Sequence, residues 1–194
     1  MKIIPQEERL LKSLKDYYIK KPNSVQIVYN IVTQKTGVSL RLLDWIVTNY
    51  SKSNNTKYEH NGNIVNVYKS YKGELDAYSK KKFDPFCRRE RIFYNTKLHS
   101  HIKISSADKK YKNFLGKNYL DDGFITTVGQ LNFFRWAIEN GIIIFALDNL
   151  EDLEKNMLDT TKSKKLNSSK RKQLTPNLSK SMTTHRQKIL VKFD

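Results

Sequence analysis

Apolar positions along this chain fall into helical rows near both ends and lose their period between them. Leu10, Leu11, Leu14 and Tyr18 recur at three- and four-residue spacing, which places them on one face of a helix over Gln6 to Lys20 with Pro5 at its first turn. Lys21-Pro22-Asn23 ends that helix. Ser24 is placed to cap a second one, Val25 to Thr36, whose Val25, Ile27, Val28, Ile31 and Val32 cover much of its girth. Gly37 interrupts, Ser39 caps again, and Leu40 to Tyr50 reads as a third helix with Leu42, Leu43, Ile46 and Val47 inward.

The pairing of these two helices around Gly37 has the spacing of a helix-turn-helix. A recognition helix must expose donors for base edges, however, and Leu40 to Tyr50 offers only Arg41, Thr48 and Asn49, so an ordinary hairpin in the core is expected. Ser51 to Asn63 has no period and reads as a polar loop with a turn at Asn61-Gly62, followed by a short strand at Ile64 to Val67. Tyr68, Tyr71, Leu75 and Tyr78 then line one side of a basic helix. Weak alternation at Arg91 to Tyr94 and at Leu98 to Ile104 predicts two strands.

Thr127 and Gln130 have capping-box spacing and open a helix, Leu131 to Asn140, apolar around all but the narrow side that holds Asn132, Arg135 and Glu139. Its breadth of apolar surface makes it the expected anchor of the core. Gly141 stops it, and Ile143, Ala146, Leu147, Leu150, Leu153 and Met157 predict a partner helix, Ile142 to Leu158, with an acidic outer face. The pattern as a whole predicts an α+β fold, mainly helical, in a single domain over residues 1–158 with a few short strands. Residues 159–194 lose periodicity and read as a basic, flexible, disordered tail.

Charge adds the strongest functional constraint. The formal net charge of the 194 residues is +17, more than solubility requires, and it points to an anionic partner. Residues 160–194 carry ten Lys/Arg against one Asp and so hold nine of those charges; the rest lie in the folded part. The densest folded run is Tyr68 to Ile92, with Lys69, Lys72, Lys80, Lys81 and Lys82 before the connector Phe83-Asp84-Pro85-Phe86 and Arg88, Arg89 and Arg91 after it. Lys109, Lys110 and Lys112 form a second group beside Tyr111 and Phe114. Lys164 and Lys165 with Lys170, Arg171 and Lys172 have the look of a nuclear-import or nucleic-acid patch.

Other chemistry is weakly supplied. Gly116-Lys117 lacks the rest of a phosphate-binding loop, and no GxSxG or GxGxxG occurs. His99 and His101, two apart on a predicted strand, would share a face as half a metal site, without evident further ligands. Cys87 has cationic neighbours that would lower a thiol pKa, against the blander reading of a buried structural thiol. As the sole cysteine it excludes an internal disulfide and points to a reducing compartment. Asp84 and Glu90 beside Arg88 and Arg91 complete no metal-nuclease spacing. No cofactor is called for, and no completed catalytic constellation supports an enzyme. The longest apolar run, Ile142 to Leu147, is too short for a transmembrane segment, so an intracellular protein is expected.

Three blocks, Ser39 to Asn55, Val67 to Ile92 and Thr126 to Ile142, resemble those of a family of small, basic, uncharacterised proteins of nucleocytoplasmic large DNA viruses, the mimivirus-like ones in particular. The resemblance spans residues 25–158 and omits the tail. It implies a viral setting, in the host cytoplasm or nucleus or packaged in a virion, and carries no catalytic residues. The expected function is therefore binding of nucleic acid without sequence preference, DNA ahead of RNA, in packaging or genome handling. The alternative is a virion structural or scaffold protein whose basic face meets acidic viral proteins.

Overall fold

The computed structural model describes residues 5–88, 90–104 and 123–167. Helix α1 (Gln6–Lys20) buries Leu10, Leu11, Leu14 and Tyr18, as its spacing requires. Helix α2 (Pro22–Val32) begins earlier and ends sooner than expected. Pro22 occupies its first turn, where the missing N–H costs nothing, and Ser24 is buried within the helix instead of capping it. Ser39 does cap α3 (Leu40–Trp45), its Oγ accepting from Leu42 N at 3.1 Å. The helix then widens into one π turn, Ile46–Tyr50, and closes with α4 (Ser51–Ser53).

The expected polar loop at 51–63 is largely ordered. Strand β1 (Lys57–His60) pairs antiparallel with β2 (Asn63–Asn66) across Asn61-Gly62, both at positive φ as a tight hairpin turn demands. Tyr58 explains why so polar a strand holds: its ring stacks on Phe145 at 5.2 Å and its hydroxyl donates to Asn140 O at 2.8 Å. After helix α5 (Val67–Lys82) come β3 (Arg91–Asn95), β4 (Ser100–Lys103) and β5 (Gly123–Thr127), an antiparallel sheet in the order β4-β3-β5.

Helix α6 (Val128–Glu139) is the hub, packed against α1, α2, α5, β5 and α7 (Ile142–Asp148). Leu131, Phe133, Phe134, Trp136 and Ala137 are all buried, each large side chain worth about 1.5–3 kcal/mol removed from water. Thr127 Oγ1 accepts from Gln130 N at 3.0 Å, but the Gln130 side chain does not return to the cap. It accepts from Thr126 Oγ1 at 2.8 Å and donates to Pro85 O at 2.7 Å, fastening α6 to the connector. Gly141, at φ 69°, ends the helix beneath His60, where a Cβ would lie 2.6 Å from Nδ1.

The single helix expected over 142–158 is two, because Asn149 (φ −121°, ψ 22°) breaks it between α7 and α8 (Leu150–Asn167). Helix α8 continues nine residues past the expected domain boundary at 158, so 159–167 is helical. The chain divides into two units, Met1–Met157 and Leu158–Asp194, and of the second only the end of α8 is described. The architecture is α-rich α+β.

Candidate nucleic-acid interface

Helix α5 starts where Asn66 Oδ1 accepts from Lys69 N at 3.1 Å. Of its expected aromatic side, Tyr71 is buried, while Tyr68, Leu75 and Tyr78 are half-buried. Tyr71 stands 5.8 Å from Phe83 and 6.0 Å from Trp136, ring centre to ring centre. With that side held by the core, Lys69 and Lys72 face solvent.

At Ser79 the backbone leaves the helix for φ 61°, ψ 163°, a region that side chains other than glycine occupy only under strain. The last turn, Lys80 to Lys82, is thereby offset from the rest of α5. Lys80 and Lys81 are exposed, whereas Lys82 turns toward α1 and donates from Nζ to Gln6 Oε1 at 3.2 Å. Phe83 is fully buried against Phe133 and Trp136, both at 5.5 Å. It roots the connector.

The connector is bolted to the start of α6. Asn132 Nδ2 donates to Lys82 O at 3.0 Å, Asp84 N donates to Gly129 O at 3.3 Å, and Gln130 holds Pro85 O. Gly129 is needed for this approach, since a Cβ there would sit 2.7 Å from Lys81 O. Asp84 Oδ1 accepts from Phe86 N at 3.1 Å and Oδ2 pairs with Arg88 Nε at 3.5 Å, while the Arg88 guanidinium lies 4.5 Å from the Phe86 ring centre.

Lys80, Lys81 and Arg88 thus line one cleft of about 400 Å³ together with Asp84, Phe86, Glu90 and Thr127. Two lysines before the connector and one arginine after it share a surface. Arg88 is also paired internally, with Asp84. Arg91 is exposed at the start of β3. Asp44 on α3 feels the same cluster. Burial first, then the charge of Asp84, raises its carboxyl pKa, with Arg88 and Lys80 opposing.

Arg89, Lys109, Lys110, Lys112, Lys170, Arg171 and Lys172 lie outside the described residues, and Lys164 and Lys165 are described only as backbone positions of α8. His99 and His101 do not share a strand face. His99 sits in the turn at φ 46°, with Nδ1 3.1 Å from Tyr94 OH, and His101 pairs with Tyr94 on β4. Cys87 departs from the reactive-thiol reading: burial pushes its pKa up, and the Arg91 charge only opposes that rise.

A second concavity was not evident in the sequence. Where α1, α5 and α6 meet, a groove of about 730 Å³ opens around Arg135. The only hint was the narrow polar side of α6, which identified Arg135 and Asn132 without indicating what they reach.

A mainly helical α+β protein whose connector, fastened to α6, lies between two basic runs is what fold and site define. The chain belongs to a family of unknown function, DUF7197, which it matches over residues 1–190. It is 36% identical over 168 residues to uncharacterized protein L507 of Acanthamoeba polyphaga mimivirus, covering 84% of this chain and 58% of that protein, so the chain spans little more than half the length of that relative. Both matches agree with the mimivirus-like resemblance of the three sequence blocks. No solved structure matches. Among the described residues no helix is long and apolar enough to cross a membrane.

Proposed function

We propose that the protein binds nucleic acid without sequence preference, duplex DNA ahead of RNA, through lysine and arginine side chains that meet backbone phosphates. The setting proposed is genome handling or DNA packaging in a virus-infected cell or virion. The observation that carries this reading is the cleft that brings Lys80 and Lys81 to Arg88. Its backbone is tied to α6 by Asn132, Gln130 and Gly129, so these cations are presented without a cost in loop ordering. Lys69 and Lys72 add exposed cations on α5, before its break at Ser79. Arg88 contributes less, because Asp84 already shares its charge.

The test is the salt dependence of binding by the full chain to two duplexes of unrelated sequence and to an RNA of the same length. Lys80→Ala with Lys81→Ala should weaken both duplexes equally, since phosphate recognition carries no sequence information. The slope of log affinity against log salt should flatten by about 0.9 for each phosphate that the variant no longer neutralises. A folded double variant whose slope equals that of the wild type overturns the proposal.

A further inference from the structure

The groove between α1, α5 and α6 has a guanidinium at its floor with a distinctive set of partners. Arg135 Nη1 donates to Ser13 Oγ at 3.2 Å, and its Nη2 donates to Asn132 Oδ1 at 2.8 Å and to Tyr78 OH at 3.5 Å. Each wall supplies one of these acceptors: Ser13 from α1, Tyr78 from α5 and Asn132 from α6. All three are neutral. The side chain is held in place, N–H groups remain unused, and among the described residues no carboxylate lies within ion-pair distance. A partly buried cation positioned by neutral dipoles is left with charge for an anion.

The rest of the groove narrows the class of anion. Arg9, Lys12 and Lys20 stand along the α1 wall, so several cations converge, which suits a multiply charged phosphate better than a single carboxylate. Three carboxylates also line the groove, and an ion pair reduces the repulsion at one of them. Glu139 pairs with Lys21 at 3.7 Å, and burial raises the Glu74 pKa, with Arg135 opposing and Glu139 adding to the rise. Asp16 remains to accept hydroxyl or amino groups of a polar ligand body. Tyr17 and Tyr78, both half-buried, add ring surface, and a volume of about 730 Å³ is ample for a mononucleotide.

The geometry points to a binding site for a small phosphate-bearing molecule of the nucleotide class, its phosphate on Arg135 and its body along the α1 wall. This site is separate from the connector cleft and does not depend on nucleic-acid binding there.

Calorimetric titration of the full chain with AMP, ribose 5-phosphate, inorganic phosphate and adenosine tests it. AMP should bind with a dissociation constant of about 1 mM or tighter, ahead of ribose 5-phosphate and inorganic phosphate, and adenosine weakest. Arg135→Lys keeps the charge but loses the fork, and should weaken AMP about tenfold or more. Because Arg135 also ties three helices together, Lys12→Gln with Lys20→Gln provides a variant outside that tie. It should weaken AMP several-fold with an unchanged melting temperature. Lys80→Ala with Lys81→Ala should leave AMP binding intact whatever it does to DNA.

Absence of AMP binding at about 10 mM overturns the site, as does equal affinity for adenosine and AMP. So does AMP binding that survives both groove variants or is abolished with the connector lysines.

Discussion

The connector cleft and the three-helix groove both gather positive charge, yet they assemble it in opposite ways. In the cleft the cations come from one run of sequence, and Arg88 meets the carboxylate of Asp84, four positions away, at 3.5 Å. In the groove Arg135 reaches Ser13, 122 positions away, and finds only neutral oxygens. Charges close in sequence bring their own counter-charges with them. Charges assembled by the fold can instead be held by neutral dipoles, with Asp16, Glu74 and Glu139 in the same groove but outside ion-pair distance of the guanidinium.

The two regions share a foundation, and the largest predicted effect follows from it. Trp136 lines the groove, donates from Nε1 to Ser70 Oγ at 2.9 Å, and packs against Phe83, which roots the connector. Trp136→Ala should cost about 3–5 kcal/mol in urea unfolding and weaken both DNA and AMP binding. A loss under about 1 kcal/mol would show that cleft and groove do not rest on common packing.

Gly129→Ala separates them. A Cβ placed 2.7 Å from Lys81 O forces the connector away from α6, whereas no residue of 127–130 lines the groove. Such overpacking should cost about 1–3 kcal/mol. DNA affinity should fall and AMP affinity should hold. Equal loss of both in the folded fraction would mean that the cleft and groove respond as one unit.

The contrast between the two regions also accounts for what the sequence disclosed. Rows of apolar residues with a cap, such as α1 or α3 behind Ser39, depend on near neighbours and were legible. The connector was legible for the same reason, as contiguous charge around Pro85. Strand β5 was not: five residues, GFITT, become a strand through pairing with β3, Arg91 opposite Thr127 and Asn95 opposite Gly123. Strand β1 has only polar alternation, and its hold on the core is Tyr58 against Phe145 and Asn140. Gln130 looked like the second half of a capping box, but the carbonyl of Pro85, 45 positions away, takes its amide instead. The groove required three helices to meet, and no local pattern encodes that.

The smallest predicted effect concerns Asp44, which tests how far the cleft is neutralised from within. Its carboxyl pKa is raised, by burial first and by the charge of Asp84 second, despite Arg88 and Lys80 nearby. A carboxyl whose folded pKa exceeds its unfolded value binds its proton more tightly in the folded state. Its ionisation therefore subtracts from stability as pH rises through the folded pKa, and the penalty is absent below the unfolded value of about 4. Asp44→Asn should thus stabilise the protein at neutral pH. Because the group is partly exposed and screened, the gain should stay under about 1 kcal/mol, and it should vanish in acid. Removing a negative charge beside Lys80 and Arg88 should also tighten DNA binding slightly, with no change for AMP. Melting temperatures of the two proteins at neutral and acidic pH, together with DNA affinity at fixed salt, decide the matter. If the variant melts lower at neutral pH, Asp44 is a counter-charge that holds Arg88 in place. Asp44 would then join Asp84 as a counter-charge to Arg88, in a cleft that Glu90 also lines, and the arginine would have little left to offer a phosphate.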